Sequence, residues 1–349
     1  MANLTTTAYW TRKLIKYGGL ALGAFLVIRF VWGIGIGYFR TVHPSPPPPP
    51  TVSFGKLPPL SFPKKEGLPK LSFKLETIEG NVPKLTTVAK VYFMPRPVAS
   101  FLALDRAKQL ARKMGFTNEP ASLSETKYRF AGQNTATTLE IDIINQNFKL
   151  SYDFVNDQSI LEEKKLPNDE QSVSEVKNFL RQIGLLSPDL ESGQVKISYL
   201  RLVTPDLTPA ISLSEADFVK VDLFRSELDS LRILSQDPNQ ALISFIFSGS
   251  RQPGKRIVEV NYNYHSVEQE NYATYPLKNS TAAWQELIGN QGFVASLGEN
   301  QDGKVTVRKV YLAYFEGRDI QDFLQPIFVF EGDRNFVAYV PAVDPKWIE

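Results

Sequence analysis

Hydrophobic residues are unevenly patterned along this chain, and the changes of pattern mark its parts. From Gly18 to Phe39 the sequence "GGLALGAFLVIRFVWGIGIGYF" runs for 22 residues with one charge and no polar face. At 1.5 Å per residue this predicts a helix about 33 Å long, enough to cross a bilayer core. A helix packed on the core of a soluble protein, with one face in water, would show a polar stripe. A cleaved signal peptide built on "LALGAFLVI" is the competing reading. It lacks a small-x-small cleavage site, and the apolar run resumes after Arg29, so a retained anchor is expected.

Beyond residue 71 the period falls to two. In "TLEIDIINQNFKLSYDF", Leu139, Ile141 and Ile143 alternate with Thr138, Glu140 and Asp142. After a turn at 145–147, Phe148, Leu150, Tyr152 and Phe154 alternate with polar residues, which predicts a hairpin with one wet face. A second hairpin is expected in "ALISFIFSGSRQPGKRIVEVNYNYHSV", with Pro253-Gly254 as its turn. A third pairs "VTVRKVYLAYF" with "QPIFVFEG", and "NFVAYV" follows; both alternating sets are apolar there, so these strands are expected at the centre of a sheet covered on both sides.

Three short helices are interspersed. "LDRAKQLARKMGF" presents Leu104, Ala107, Ala111 and Met114 and stops at Gly115. "SVSEVKNFLRQIGLL" offers Ser172 and Glu175 at capping-box spacing and presents Val176, Phe179, Leu180 and Ile183. "STAAWQELIGNQGF" presents Ala283, Trp284, Leu287 and Ile288. The expected fold class is therefore α+β: antiparallel sheet with one short helix per unit. The expected organisation is a tail over 1–17, a transmembrane helix over 18–39, a proline-rich linker over 40–70, and units over 71–165, 166–270 and 271–349. The linker reading rests on Pro46–Pro50 and on "KLPPLSFPKKEGLPKL", which predict a semi-rigid polyproline II spacer.

Helix, Gly-Phe, loop and hairpin, as in "DRAKQLARKMGFTNEPASLSETKYRF" leading into "TLEIDIINQNFKLSYDF", resembles PepSY-type domains. The C-terminal "AAWQEL", "VYLAYF" and "LQPIFVFEGD" resemble the last unit of YycH/YycI-type proteins. That resemblance implies a single-pass, N-in protein whose outer domain regulates a membrane partner. The proline-rich spacer is not a defining part of that family.

Charge sharpens the topology. Residues 1–40 hold Arg12, Lys13, Lys16, Arg29 and Arg40 and no acidic residue; subtracting these five leaves 34 basic against 37 acidic residues. The positive-inside rule then places the N-terminus in the cytoplasm and the rest outside. The slightly acidic remainder excludes a nucleic-acid partner, which needs a clustered basic face. Within the span, Arg29 sits near the middle, and Gly19/Gly23 and Gly33/Gly37 provide small-xxx-small spacings. Two readings stand: a packing face for a membrane partner or a second copy, and a snorkelling arginine with incidental glycines.

Candidate chemistry is sparse. The chain has no cysteine and two histidines, His43 and His265, which removes thiolate sites and His-rich metal centres. "FSGSRQPGKR" lacks the phosphate-loop pattern, and Ser248 and Ser250 have no evident base beside them. His265 falls among tyrosines as a structural residue. The acidic pairs Asp222/Glu227, Glu162/Glu163 and Glu331/Asp333 read as solvated surface. Tyr262, Tyr264, Tyr272 and Tyr275 form an aromatic stretch that could line a ligand groove, with core packing as the alternative. No cofactor, metal or catalytic residue is expected. The partners expected are the bilayer and a membrane protein, peptide or wall polymer of the envelope. The alternative function is an envelope hydrolase or protease whose carboxylates converge in three dimensions.

Overall fold

The structure is a computed structural model that describes residues 4–42, 49–133, 136–252 and 254–349. His43, most of the proline run, and Pro253 of the expected turn lie outside the described residues. The chain forms two compact units, Met1–Pro49 and Pro50–Glu349.

The first unit is helix α1, Leu4–Val42. It extends well beyond the 18–39 expected, so Arg12, Lys13 and Lys16 stand on the helix and not in a separate tail. Within Ala8–Ile36 the mean hydropathy reaches 2.0 over 18 residues, long and apolar enough to cross a membrane. Its described side chains are exposed throughout.

The second unit contains two sheets. In chain order it begins with β1 (Ser72–Leu75), β2 (Val88–Phe93), α2 (Ala103–Lys113), β3 (Ala121–Ser122), β4 (Lys127–Ala131), β5 (Thr137–Asp142) and β6 (Phe148–Tyr152). There follow α3 (Asp169–Ile183), α4 (Pro188–Glu191), β7 (Val195–Val203), β8 (Asp206–Pro209) and β9 (Phe218–Leu223). Next come β10 (Ile233–Leu234), β11 (Ile243–Ser248), β12 (Ile257–Tyr262), β13 (Glu268–Pro276) and α5 (Ser280–Ile288). The last strands are β14 (Phe293–Ser296), β15 (Lys304–Phe315), β16 (Phe323–Gly332) and β17 (Phe336–Pro341).

All three expected hairpins are present: β5 with β6, β11 with β12, and β15 with β16, with β17 added beyond. The alternation governs burial, since Leu139, Ile141, Phe148, Leu150 and Tyr152 all point inward. On β16, Phe328 and Phe330 pack toward α5 while Ile327 and Val329 pack toward Phe293 and Tyr339, so both faces are covered as expected. Two helices, α2 and α3, cover one face of the other sheet with Ala107, Leu110, Ala111, Val176, Leu180 and Ile183. Gly184 at the end of α3 and Gly115 after α2 take positive φ, 82° and 88°, the left-handed termination that glycine permits most cheaply. The N-terminus of α3 differs from expectation: Asn168 and Gln171, not Ser172 and Glu175, form the capping box.

The unit boundaries drawn at 165 and 270 do not correspond to the sheets. β3 to β6 and β7 to β12, apart from β10, form one continuous nine-stranded sheet in the order β3-β4-β5-β6-β12-β11-β9-β7-β8. β1 and β2, expected in the first unit, belong to the other, eight-stranded sheet: β1 pairs in parallel with β15, and β2 pairs with β13 and β16. β10 also joins it, since the excursion between β9 and β11 pairs Ile233 with Tyr314. Pairing between segments distant in sequence overrides local order here.

The spacer is corrected too. From Thr51 to Phe62 the proline-rich segment is packed on the eight-stranded sheet, while residues 63–68 are exposed. Leu57 is fully buried, its amide donates to the Trp347 carbonyl at 2.8 Å, and its carbonyl accepts from Glu349 at 3.0 Å. Phe54 meets Phe323 at 5.0 Å, and Phe62 stacks on Phe293 at 5.0 Å. The prolines remove amide donors, but Phe54, Leu57, Leu60 and Phe62 between them join the hydrophobic clusters of the sheet. Leu57→Ala in a chain beginning at Pro50 should lower unfolding stability by about 2–5 kcal/mol. Urea unfolding measures this, and an unchanged midpoint would show that the segment is detached.

Candidate functional site

Arg225 lies two residues past β9, at the junction of the two sheets. Its side chain is only 9% exposed, and a buried guanidinium is tolerated only when it is paired and hydrogen-bonded. Both requirements are met across the junction. Nε donates to Asp189 Oδ2 of α4 at 2.6 Å, on the nine-stranded side. Nη1 donates to Glu316 Oε1 at 2.9 Å, just past β15 of the eight-stranded sheet, and to the His265 carbonyl at 2.9 Å. The guanidinium also stacks over the Tyr264 ring at 4.8 Å, and the Tyr264 hydroxyl donates to Asp189 Oδ1 at 3.1 Å.

These contacts set the protonation states. Burial alone would raise the Asp189 carboxyl, but the Arg225 charge and hydrogen bonds from Ser187, Arg225 and Tyr264 hold it below the usual carboxylate range. Burial opposes the Arg225 charge, yet Glu316 and Asp189 together hold its proton more firmly than usual. The His265 imidazole is pushed down by burial and by Arg225, against the pull of Glu316 and Asp319. Its Nδ1 is buried without a hydrogen bond and stands 3.9 Å from Glu316 Oε1, beyond hydrogen-bond range.

His265 also lines a cleft of about 410 Å³ beside this network. One wall comes from β4 to β6, with Lys127, Glu140, Asp142 and Lys149; the other is the loop Arg318–Ile320. Asn263 ties the walls together, donating to the Arg318 carbonyl at 2.9 Å and accepting from Asn147 Nδ2 at 2.8 Å. The lining mixes both charge signs with amides. That suits an extended polar ligand better than a lone anion or an apolar molecule.

No family model matches the chain, and no curated protein matches it. Among solved structures, an uncharacterised protein from Eubacterium rectale ATCC 33656 aligns with 72% of this chain and 82% of its own. The identity is 10% and the TM-score 0.36, a likeness too slight to carry an argument.

The four candidate tyrosines do not form a groove. Tyr262 packs in the core, stacked on Phe148 at 5.2 Å with its hydroxyl on the Leu185 carbonyl, and is the one of the four that also lines the cleft beside His265. Tyr264 serves the Arg225 network. Tyr272 and Tyr275 belong to the other sheet; Tyr275 is fully buried and donates to the Gly55 carbonyl, and Tyr272 lies under Lys90 with its ring 4.3 Å from Nζ. On α1, space around Gly19, Gly23 and Gly33 is open, and Arg29, Gly33 and Gly37 fall on one helical stripe.

The other candidates resolve into structure. Ser248 donates to the Lys255 carbonyl at 2.6 Å within its hairpin. Asp222, expected on the solvated surface, is instead buried against Lys220, and burial raises its carboxyl, whereas Glu227 lines a different surface. Glu163 accepts from the Arg251 amide, and Asp333 pairs with Arg308. One pair had no signal in the sequence: Lys255 Nζ lies 2.9 Å from Ser159 Oγ, the spacing of a Ser–Lys base pair. Lys255 is also 2.6 Å from Asp157, whose hydrogen bond holds the ammonium protonated, and Ser159 already donates to Asp157. A lysine so held cannot serve as the base.

Arg225→Ala should destabilise the protein by about 3–5 kcal/mol, because it leaves two buried carboxylates unpaired. Replacing Arg225, Asp189 and Glu316 together by apolar residues should be less damaging; equal losses would contradict this account. The pH dependence follows from the same groups. The folded state disfavours His265 protonation, so stability falls as pH drops below about 6.5, where the unfolded chain takes up the proton first. The Asp189 contribution is present above the ordinary carboxylate pKa and is lost as pH falls through its depressed folded value. His265→Gln should remove only the first loss in a pH series of urea midpoints.

Proposed function

We propose that this chain is a single-pass membrane protein of the cell envelope, with its N-terminus in the cytoplasm and Pro50–Glu349 on the outer face. There it acts as a non-catalytic binding or regulatory module. A PepSY-like reading of α2 with β4 to β6 is consistent with this role, although the strands around it are fused into one larger sheet.

The observation that carries the non-catalytic reading is the state of the buried charges. Asp189 and Glu316 do converge, which is what a carboxylate hydrolase would need. They converge on Arg225, which occupies both, and Asp189 is held ionised when a general acid would need a raised pKa. The adjoining cleft is open, polar and joined to both sheets, as suits recognition of a peptide or glycan segment.

The absence of cysteine makes the topology directly measurable. A membrane-impermeant maleimide applied to intact cells should label Ile78→Cys, on the body, and leave Thr6→Cys unlabelled until the membrane is opened. The reverse pattern would overturn the orientation. A photo-crosslinking residue at Ile320, in the cleft, should give an adduct in native membranes that the same probe at Ile211, outside it, does not. Equal adducts at both positions would remove the cleft from recognition.

A further inference from the structure

Between β2 and α2 the chain turns outward as "RPVASFL", and it carries the most exposed aromatic residue of the body. Phe101 is 107% exposed, Val98 81% and Leu102 63%. Water-exposed apolar side chains scattered singly need no explanation, but here three lie within five residues at a protruding turn. The helix that follows is basic on its outer face. Among the described residues Arg106 and Arg112 of α2 are exposed and form no salt bridge, although the Arg112 charge acts on Glu119, which is paired with Lys108; Asp105 is the one exposed acid on the helix. Arg96 is clamped by Asp322, which fixes the base of the turn on the eight-stranded sheet.

We propose that this turn and the outer face of α2 dock on the surface of an anionic lipid bilayer, the three apolar side chains entering the interface and Arg106 and Arg112 meeting lipid phosphates. The inference rests on the membrane-anchored reading given above. Chain length supports it. Eight residues, 43–50, separate the end of α1 at Val42 from Thr51, whose amide is bonded to Thr274 on β13, a tether of about 30 Å at full extension. β13 pairs with β2, opposing Thr274 to Lys90, and β2 leads straight into the turn. Phe101 therefore lies within about 27 Å of Phe93, on the same strand pair that receives the tether. Apolar tips beside exposed arginines are the chemistry of an interfacial anchor. A second copy fits less well: three side chains fall short of the roughly 800 Å² per partner of a stable interface, and two like-charged faces repel.

The test uses the full chain in nanodiscs, with an environment-sensitive fluorophore on a single introduced cysteine at Ala99, Leu26 or Ile211. The discs contain phosphatidylcholine with or without phosphatidylglycerol and carry a lipid-borne nitroxide quencher. Quenching at Leu26 reports that the helix is inserted. The proposal expects blue-shifted, quenched emission at Ala99 in phosphatidylglycerol discs and none at Ile211. Quenching should fall about fivefold for each of Arg106→Glu and Arg112→Glu, and should drop at high salt. Phe101→Ser with Leu102→Ser, both at exposed positions, should abolish it. A quenched Leu26 with an unquenched Ala99 would overturn docking while leaving the anchor intact. An unquenched Leu26 would overturn the anchor, and the docking inference with it. A blue shift at Ala99 without lipid quenching would mean that another protein copy covers the turn, which also overturns the proposal.

Discussion

A guanidinium nine-tenths withdrawn from water imposes the strictest condition in this body. Arg225 must find carboxylates in fixed positions, and it takes one from each side of the junction: Asp189 of α4 and Glu316 just past β15. Such a pair adds little net stability over a well-packed apolar contact. What it adds is register, because a shift of one sheet against the other would leave charges buried and unpaired. The same alignment brings the loop Arg318–Ile320 opposite β4 to β6 and so shapes the polar cleft.

Chain path reinforces that junction. The chain passes from the eight-stranded to the nine-stranded sheet after β2, returns briefly for β10, crosses back to β11, and returns for good at β13. Each crossing ties the two sheets covalently, so neither is a contiguous domain. The first strands and the proline-rich segment complete the C-terminal sheet, with Leu57 bonded to the last residues of the chain. Such non-local pairing predicts slow folding that waits on the C-terminal strands.

How much of this could be read from the sequence depended on how local the cause was. The β5–β6 and β15–β16 hairpins were legible because Leu139, Ile141 and Phe148, or Phe328 and Phe330, carry their burial in the two-residue period. Helix α2 was legible from Ala107, Ala111 and Gly115. The parallel pairing of β1 with β15 left no trace, since "SFKL" is as good an edge strand for either sheet. The segment around Leu57 was misread because proline content speaks for extended backbone, and extended backbone can pack as well as span. The site was less legible still. Arg225, Asp189 and Glu316 are isolated charges in ordinary surroundings, and only the fold makes them neighbours; the tyrosines that did form a visible pattern turned out to be divided between two sheets.

The buried charges of this body are committed to holding two sheets as one. The most direct test of that claim is native-state hydrogen exchange on the full chain. If the junction makes a single cooperative body, the slowest amides of β11 and of β16 should exchange through one global opening, with the same free energy and the same denaturant dependence. If those two strands instead open with distinct free energies in the wild-type protein, the sheets are independent domains and the Arg225 junction does not organise the structure.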